Sequence, residues 1–480
     1  MKNKFLLLTT AILTLVGCSY PEKYNENSYG IYDAKPENLF SFSQKELADH
    51  LTTPNVNENN LRLTMQYWQE TTYVGESNYD FVTRNISNTV WANNYVNILK
   101  NLELAKKITE EYVPPGNQVI AWPGIKKNRL AMIDLLSVFT YQNLVNAYGN
   151  IPYSQALDLE KYPLPVYDDA ATIYASLIAR VNTDISNLDT ASTAFGTADV
   201  FYAGNVTKWK KFANSLLLKL GICLADSNPT LAQSTVNAAI AGGVITSSAD
   251  NCSLVYLTST GNKNPIYAEL VDSGRADYIG ASTMVDFLQT NNDARLSKYF
   301  QPAANSGTYV GGVVGAPNPV DNFSLPGTFG FTATTPGVIL GNTETAFYLL
   351  EAAARWNSAN APAAYSTAVT ASFTEWGVAS SAAAYISAHP YNAVNWKQSV
   401  GEQAWLAMYN QPYVSWDFYR RLDYPALVAP PTANPNANGK VPVRLQYPTT
   451  EVTSNGASWA AGSAAIGGDR LYTKVFWDKF

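Results

Sequence analysis

The chain has 480 residues and a formal net charge of −6, which argues against a nucleic-acid partner, because such a partner calls for a basic face. Only 15% of residues are charged and 46% are hydrophobic, so a sizeable core can form and global disorder is excluded. Aromatic residues reach 12%, with 31 Tyr and 11 Trp, a surplus that suits ring-packed helices and also carbohydrate- or peptide-binding surfaces.

Lys2 and Lys4 precede an apolar run from Phe5 to Val16. That run is too short to span a bilayer stably and fits the core of a secretory signal peptide. It ends in Leu15-Val16-Gly17-Cys18, which resembles the lipobox of bacterial lipoproteins. The resemblance implies that residues 1–17 are removed and that the Cys18 thiol carries a diacylglycerol; a thiolate is the side-chain nucleophile best suited to take up the lipid. No later stretch is apolar enough for a transmembrane helix, so the expectation is a chain anchored by lipid and not spanning. Residues 18–37 are polar, with Pro21, Asn25, Asn27, Gly30 and Pro36, and read as a flexible tether.

From Ser41 onward helical periodicity dominates and strand alternation is almost absent. Helices are expected near 42–52, 58–72, 88–111, 124–147, 167–187, 207–224, 229–241, 343–357, 361–375, 379–388 and 392–409. The clearest stripe is Trp209, Phe212, Ala213, Leu216, Leu217, Leu220, Cys223 and Leu224, with Lys208, Lys210, Lys211 and Lys219 between. Gly149, Asn150 and Pro152 stop the helix at 147. Short turns at 376–379 and 389–392 suggest stacked helical hairpins, without a strict 34-residue repeat. Residues 290–342 and 426–470 are rich in Gly, Pro, Asn, Thr and Ser and read as long irregular excursions, the first with room for a small hairpin. Nothing resembles an interdomain linker, so 38–480 is expected to be a single domain.

Catalytic and metal chemistry is sparse. His50 and His389 stand far apart and outside any metal-binding motif, so neither a zinc nor an iron site is expected. No Walker-type loop, dinucleotide fingerprint or nucleophile elbow occurs, and no cofactor is implied. Cys223 and Cys252 are expected as buried free thiols. Glu351, on an apolar helix, is the acid expected to be buried, in a structural hydrogen-bonding role.

A set of strings taken in order gives the chain a family resemblance. They are Tyr148-Gly149-Asn150-Ile151-Pro152-Tyr153, the run from Gly204 to Leu216, Glu351-Ala352-Ala353 and Trp376-Gly377. Trp396-Lys397-Gln398-Ser399, Glu402-Gln403-Ala404-Trp405 and the run from Trp416 to Arg421 follow, with Arg444-Leu445-Gln446-Tyr447-Pro448 and Val475-Phe476-Trp477-Asp478 near the end. Together they resemble SusD/RagB-type outer-membrane lipoproteins, in the divergent SusD-like branch. The residues themselves read as structural: Asn205, Thr207 and Asn214 as caps or cross-links, and Trp396, Trp405 and Trp416 as packing rings. Arg420 and Arg421 are expected to bridge a carboxylate such as Glu402 and loop carbonyls.

The resemblance implies a mainly α fold, an α-superhelix of tetratricopeptide-like helix pairs with long irregular loops on the ligand-facing side. It also implies a cell-surface, outer-membrane protein without a catalytic centre. Such a protein captures oligosaccharide or peptide nutrients and passes them to a TonB-dependent transporter. A glycoside hydrolase on a helical scaffold, or a protein-binding scaffold or adhesin, are the competing readings. Ligand candidates are sought where aromatic rings stand beside Asn, Asp, Arg or Gln. The richest run is 68–95, where Trp68, Tyr73, Asn78, Tyr79, Asp80 and Arg84 are selected, the Tyr residues being expected to be exposed on a loop. Tyr278 and Asn322 are added from later loops.

Overall fold

The computed structural model describes residues 34–480; the expected signal peptide, Cys18 and most of the expected tether lie outside the described residues. α1 (Pro36–Thr52) is followed by α2 (Ile86–Ala92), which continues through a π-helical stretch, Asn93–Leu99, into α3 (Lys100–Glu111). Next come α4 (Trp122–Tyr148), α5 (Ala170–Asn187), α6 (Val206–Cys223) and α7 (Pro229–Gly242). Each packs on its neighbour in turn: α1 on α3, α3 on α4, α4 on α5, α5 on α6 and α6 on α7. The second group is α8 (Asn342–Trp356), α9 (Ala361–Glu375), α10 (Ala382–Ala388), α11 (Trp396–Ala407) and α12 (Pro412–Leu422). It joins the first where α8 packs on α6. The result is the mainly α superhelix of tetratricopeptide-like pairs, and Pro36–Phe480 forms one compact unit.

Local chemistry sets the helix ends. Asp169 accepts from the Thr172 amide at 2.9 Å, Asn205 from Lys208 at 3.1 Å and Asn228 from Leu231 at 3.2 Å, each side chain satisfying an amide that the first turn leaves free. Gly149 closes α4 at φ +85°, a backbone state that costs other residues strain. Asn214 works as a cross-link, donating to the Lys210 carbonyl at 2.9 Å and to Gly242 at the end of α7 at 3.0 Å. Lys219 is buried with the α6 stripe and reaches Glu344 at 3.0 Å. Cys223 and Cys252 are both buried free thiols.

The expected helix over 58–72 is a correction. Only Leu61–Thr64 is helical; Gln66 then takes φ 54°, and Trp68–Glu70 becomes a strand, β1. Every residue from Asn59 to Thr71 is buried, so the segment has no solvent face and its apolar spacing carries no helical period. Two small antiparallel sheets form over long sequence separations instead of a local hairpin. β2 (Cys252–Leu254) pairs with β4 (Gly337–Leu340), while β1 pairs with β3 (Tyr278–Gly280) in the register Trp68↔Gly280, Gln69↔Ile279, Glu70↔Tyr278. The segment 426–470 also departs from expectation, since α13 (Thr449–Ser454) and α14 (Gly456–Ala465) lie in it. Its Gly and Ser suggest a loop, whereas the alanines of α14 favour helix enough to hold one.

The core beneath β1 is aromatic. Tyr299 and Tyr409 stack at 4.1 Å between centroids, Tyr67 lies 5.6 Å from Trp405, and Trp376 and Phe329 close edge-on around Tyr409. The Trp68 indole donates to the Tyr409 hydroxyl at 2.7 Å, and the Trp405 indole to the Met65 carbonyl at 2.9 Å. These contacts fix β1 against α11 and so fix what stands on the strand's outer edge.

Candidate functional site

A surface cavity of about 400 Å³ opens beside the β1–β3 pair, lined by Asn55, Asn57, Glu70, Tyr73, Arg84, Glu269, Arg275, Asp277 and Tyr278 among others. Three separate stretches of chain build it: the turn after α1, the loop following β1, and the segment that leads into β3. Sheet register places Glu70 opposite Tyr278, so both strands feed the same wall from one end of the sheet. Behind that wall Trp68 lies 5.6 Å from the Tyr278 ring, and the Tyr278 hydroxyl donates to the Pro54 carbonyl at 3.0 Å.

Tyr73, Arg84 and Tyr278 are thus the sequence candidates that the fold brings together. Tyr73 is the prominent ring, 66% exposed, whereas Tyr278 shows the cavity only an edge, at 3% exposed. The others sit elsewhere. Trp68 is buried in the aromatic core, with the Arg62 guanidinium over its ring at 5.0 Å. Tyr79, expected on an exposed loop, is fully buried, accepting from Gln66 at 3.2 Å; the left-handed backbone at Tyr79 turns its ring inward, and this corrects the expected exposure. Asn78 ties loops together, donating to the Val74 and Gly315 carbonyls at 2.8 Å each and accepting from Thr432 at 2.6 Å. Gly315 has to be glycine there: its φ is +80°, and a Cβ would come within 2.6 Å of the Asn78 oxygen. Asp80 caps its own turn, accepting from the amides of Val82 and Thr83. Asn322, exposed, accepts from Asn305 at 2.8 Å and is not among the residues lining the cavity.

The charges of the cavity are arranged in pairs, with acids left over. Arg84 is taken by Glu76, and Arg275 holds Asp277 side-on through Nε and Nη2, the latter at 3.0 Å. Glu70 accepts from the amide and the hydroxyl of Ser77, both at 2.9 Å on Oε2. Burial pushes the Glu70 carboxyl up to about 8, Ser77 acts against that shift, and the neighbouring Glu76 adds to it. Burial raises Glu269 too, with Asp277 adding to the effect; Glu58 is raised by burial and then by Glu269. The cavity therefore offers a ring face, two amide side chains, a guanidinium fork and carboxyl groups, a set that hydrogen-bonds polyhydroxylated ligands well.

Glu70, Glu269, Arg275, Asp277, Asn55 and Asn57 were not among the sequence candidates. Asp277 directly precedes the chosen Tyr278 and Glu70 lies in the chosen run, so adjacency was an available signal. Asn55 and Asn57 gave none, being polar residues in a polar turn. A larger cleft of about 690 Å³ is lined by Phe42, Val200, Leu254, Val255 and Leu257 together with Lys45, Lys208, Tyr256 and Asn262, so its walls are mainly apolar with polar groups at a few points. Among the described residues no group of three His, Cys, Asp or Glu side chains is placed to hold a metal ion, and no helix is long and apolar enough to cross a membrane.

Residues 28–448 match the family model described as "Starch-binding associating with outer membrane". Among solved structures, a chitin-binding protein is similar with a TM-score of 0.81 and 25% identity, over 93% of this chain and 100% of that one. A chitin-binding SusD homolog from Flavobacterium johnsoniae shares the fold with a TM-score of 0.78 and 22% identity, over 92% of this chain and 98% of that one. A SusD-like protein from Bacteroides thetaiotaomicron does so with a TM-score of 0.76 and 23% identity, over the same shares, 92% and 98%. Comparison with curated protein sequences gave no match.

Proposed function

Because the chain belongs to the SusD-like family, described as starch-binding and associating with the outer membrane, we propose that it is a glycan-capturing lipoprotein that feeds a partner transporter. The observation that carries this reading is the cavity beside the β1–β3 pair. Tyr73 offers an exposed ring for a pyranose face, and Asn55, Asn57, Arg275 and Asp277 offer hydrogen bonds for hydroxyls around it. The chitin-binding protein of similar fold favours a β-linked amino-sugar polymer or a relative of it as ligand. In this proposal the protein binds and does not turn over its ligand. It is held at the outer membrane by lipid on Cys18 and hands the glycan to a TonB-dependent barrel.

The test has two arms. Full-length chain, incubated with insoluble chitin and with starch, is expected to be retained on at least one of them and to release no new reducing ends. Purification of the native lipoprotein in mild detergent is expected to bring a large β-barrel with it. Passage through every polysaccharide would remove the capture reading, and purification without a companion at several detergent strengths would remove the delivery reading.

A further inference from the structure

The end of the molecule away from the glycan cavity carries an apolar surface that capture does not use. His50, Glu46 and Ser43 on α1 meet Asn94, Asn97 and Ile98 in turn, at 3.3, 3.4 and 3.4 Å. α1 and α3 are therefore antiparallel, and the start of α1 lies toward the end of α3. Glu37 in the first turn of α1 pairs with Arg129 of α4 at 2.7 Å, and the Arg129 guanidinium lies 5.5 Å from the Trp122 ring that opens α4. The start of α1, the end of α3 and the start of α4 thus gather at one end, and the chain toward Cys18 leaves from there. The loop 112–121 joins α3 to α4 at this end, with Ile120 97% exposed, Val113 84% and Val119 52%. Its turn is built, not loose. The Tyr112 and Trp122 rings meet edge-on at 4.7 Å, the Tyr112 hydroxyl donates to Gln118 at 3.3 Å, and Lys126 donates to the Glu110 carbonyl at 2.7 Å. An ordered tip that holds aliphatic side chains in water marks a contact surface. At its other end α1, 17 residues and about 25 Å long, runs into Asn55 and Asn57 of the glycan cavity.

We propose that the loop 112–121 is a membrane foot, whose Val113, Val119 and Ile120 enter the headgroup–acyl boundary of the leaflet that holds the Cys18 lipid. The inference rests on the lipid-anchor part of the reading above and adds a second contact to it. The chain from Cys18 to Pro36 reaches up to about 60 Å when extended, so the anchor alone sets no orientation. A foot beside the point where that chain leaves α1 turns the cavity, at the far end of α1, away from the lipid. Protein interfaces concentrate aromatic rings and arginine at their centre, whereas this tip is aliphatic. Lys106, Lys107, Lys126 and Lys127 stand behind it on α3 and α4, with stems long enough to lie along an interface while their charges stay wet. Glu103, Glu110 and Glu111 offset those charges, so the contact is carried by apolar burial and not by attraction to anionic headgroups.

A polarity-sensitive probe on the loop tests this. The native lipoprotein carrying Ile120→Cys is labelled with NBD, Cys223 and Cys252 being buried, and reconstituted into vesicles of phosphatidylethanolamine and phosphatidylglycerol. The same label at Asn57→Cys, beyond the far end of α1, serves as the reference. Emission at position 120 is expected to shift to the blue and to be quenched by nitroxide-bearing lipid several-fold more strongly than at position 57. Both effects are expected to persist in 1 M salt, where the Debye length falls to about 3 Å, and to weaken when Val113→Ser and Val119→Ser are added. Water-like emission at both positions overturns the foot, and loss of the quenching in 1 M salt overturns apolar insertion. A blue shift that appears only when a co-purified β-barrel is added assigns the loop to a protein partner and overturns the membrane contact. Each of these outcomes leaves the lipid anchor standing. Mass spectrometry of the native protein showing an unmodified Cys18 takes down the anchor reading and this inference with it.

Discussion

Arg421 grips Glu351 side-on in the core, its Nε lying 2.9 and 3.0 Å from the two carboxylate oxygens and its Nη2 2.7 Å from Oε2. Both side chains are fully buried, Arg355 adds a bond to Glu351 Oε1 at 2.9 Å, and the Phe418 ring lies 4.7 Å from the Arg421 guanidinium. The pair couples α8 to α12, and it is the role expected of Glu351. Arg421 was expected to meet Glu402, which instead accepts from Gln398 one turn away at 2.9 Å. Arg420 makes the expected carbonyl contact, reaching Val443 at 2.9 Å, and pairs with Asp417 in place of Glu402.

Removing Arg421 leaves the buried Glu351 carboxylate with Arg355 as its one remaining cation among the described residues. Arg421→Ala is expected to cost about 3–5 kcal/mol, read as a lowered urea midpoint with little change in slope. The double change Arg421→Met, Glu351→Leu is expected to cost much less, because no uncompensated charge remains. Equal losses for the single and double variants would show that packing volume, and not the stranded carboxylate, sets the penalty.

Tyr73 and Tyr79 sit six positions apart and are expected to separate binding from folding. Tyr73→Ala removes a ring that is 66% exposed, so glycan affinity falls about tenfold and the melting temperature hardly moves. Tyr79→Ala empties a fully buried site and is expected to cost about 3–5 kcal/mol of stability. Thermal melts and titrations on the two variants check both statements, and a stable, weakly binding Tyr79→Ala protein would reverse the assignment.

Asp184 gives the fold a specific pH dependence. Its Oδ2 is buried without a donor, and burial, then the nearby Asp134, raise its carboxyl from an ordinary 3.8 to about 9. A folded value above the unfolded one means that the group's contribution is complete below about pH 4 and is lost as pH rises through about 9. Asp184→Asn keeps a neutral side chain at every pH. The wild-type protein is therefore expected to lose more melting temperature between pH 5 and pH 8.5 than the variant does. Parallel curves for the two would place the proton elsewhere.

The thiols are expected to be inert in the native state. Burial pushes Cys223 up to about 11, despite the Arg421 charge beside it, and raises Cys252 well above its ordinary value. A mature, folded chain lipidated at Cys18 should take up no aromatic disulfide reagent until denaturant is added. Rapid labelling in the native protein would mean that α6 opens locally.

The helices were legible because one-sided burial leaves a period that can be read, as in the Trp209 to Cys223 stripe and in the capping Asn205. β1 was not, since a segment buried on every side shows no alternation and its partner Tyr278–Gly280 lies some two hundred residues away. The site was legible only in part. Tyr73, Arg84 and Tyr278 were found because aromatic and polar residues cluster near them, but sequence cannot tell a ring that faces out, as at Tyr73, from one that turns in at a left-handed residue, as at Tyr79. Glu269 and Arg275 reach the cavity through tertiary folding alone, with no local pattern to mark them.

The most direct test of the capture account is a structure of the full-length protein with its tightest-binding oligosaccharide. The account predicts a sugar ring against Tyr73, with its polar groups within hydrogen-bond reach of Arg275, Asp277 or Glu269. A saccharide seated in the larger cleft at Phe42 and Val255, with the Tyr73 cavity empty, would contradict it.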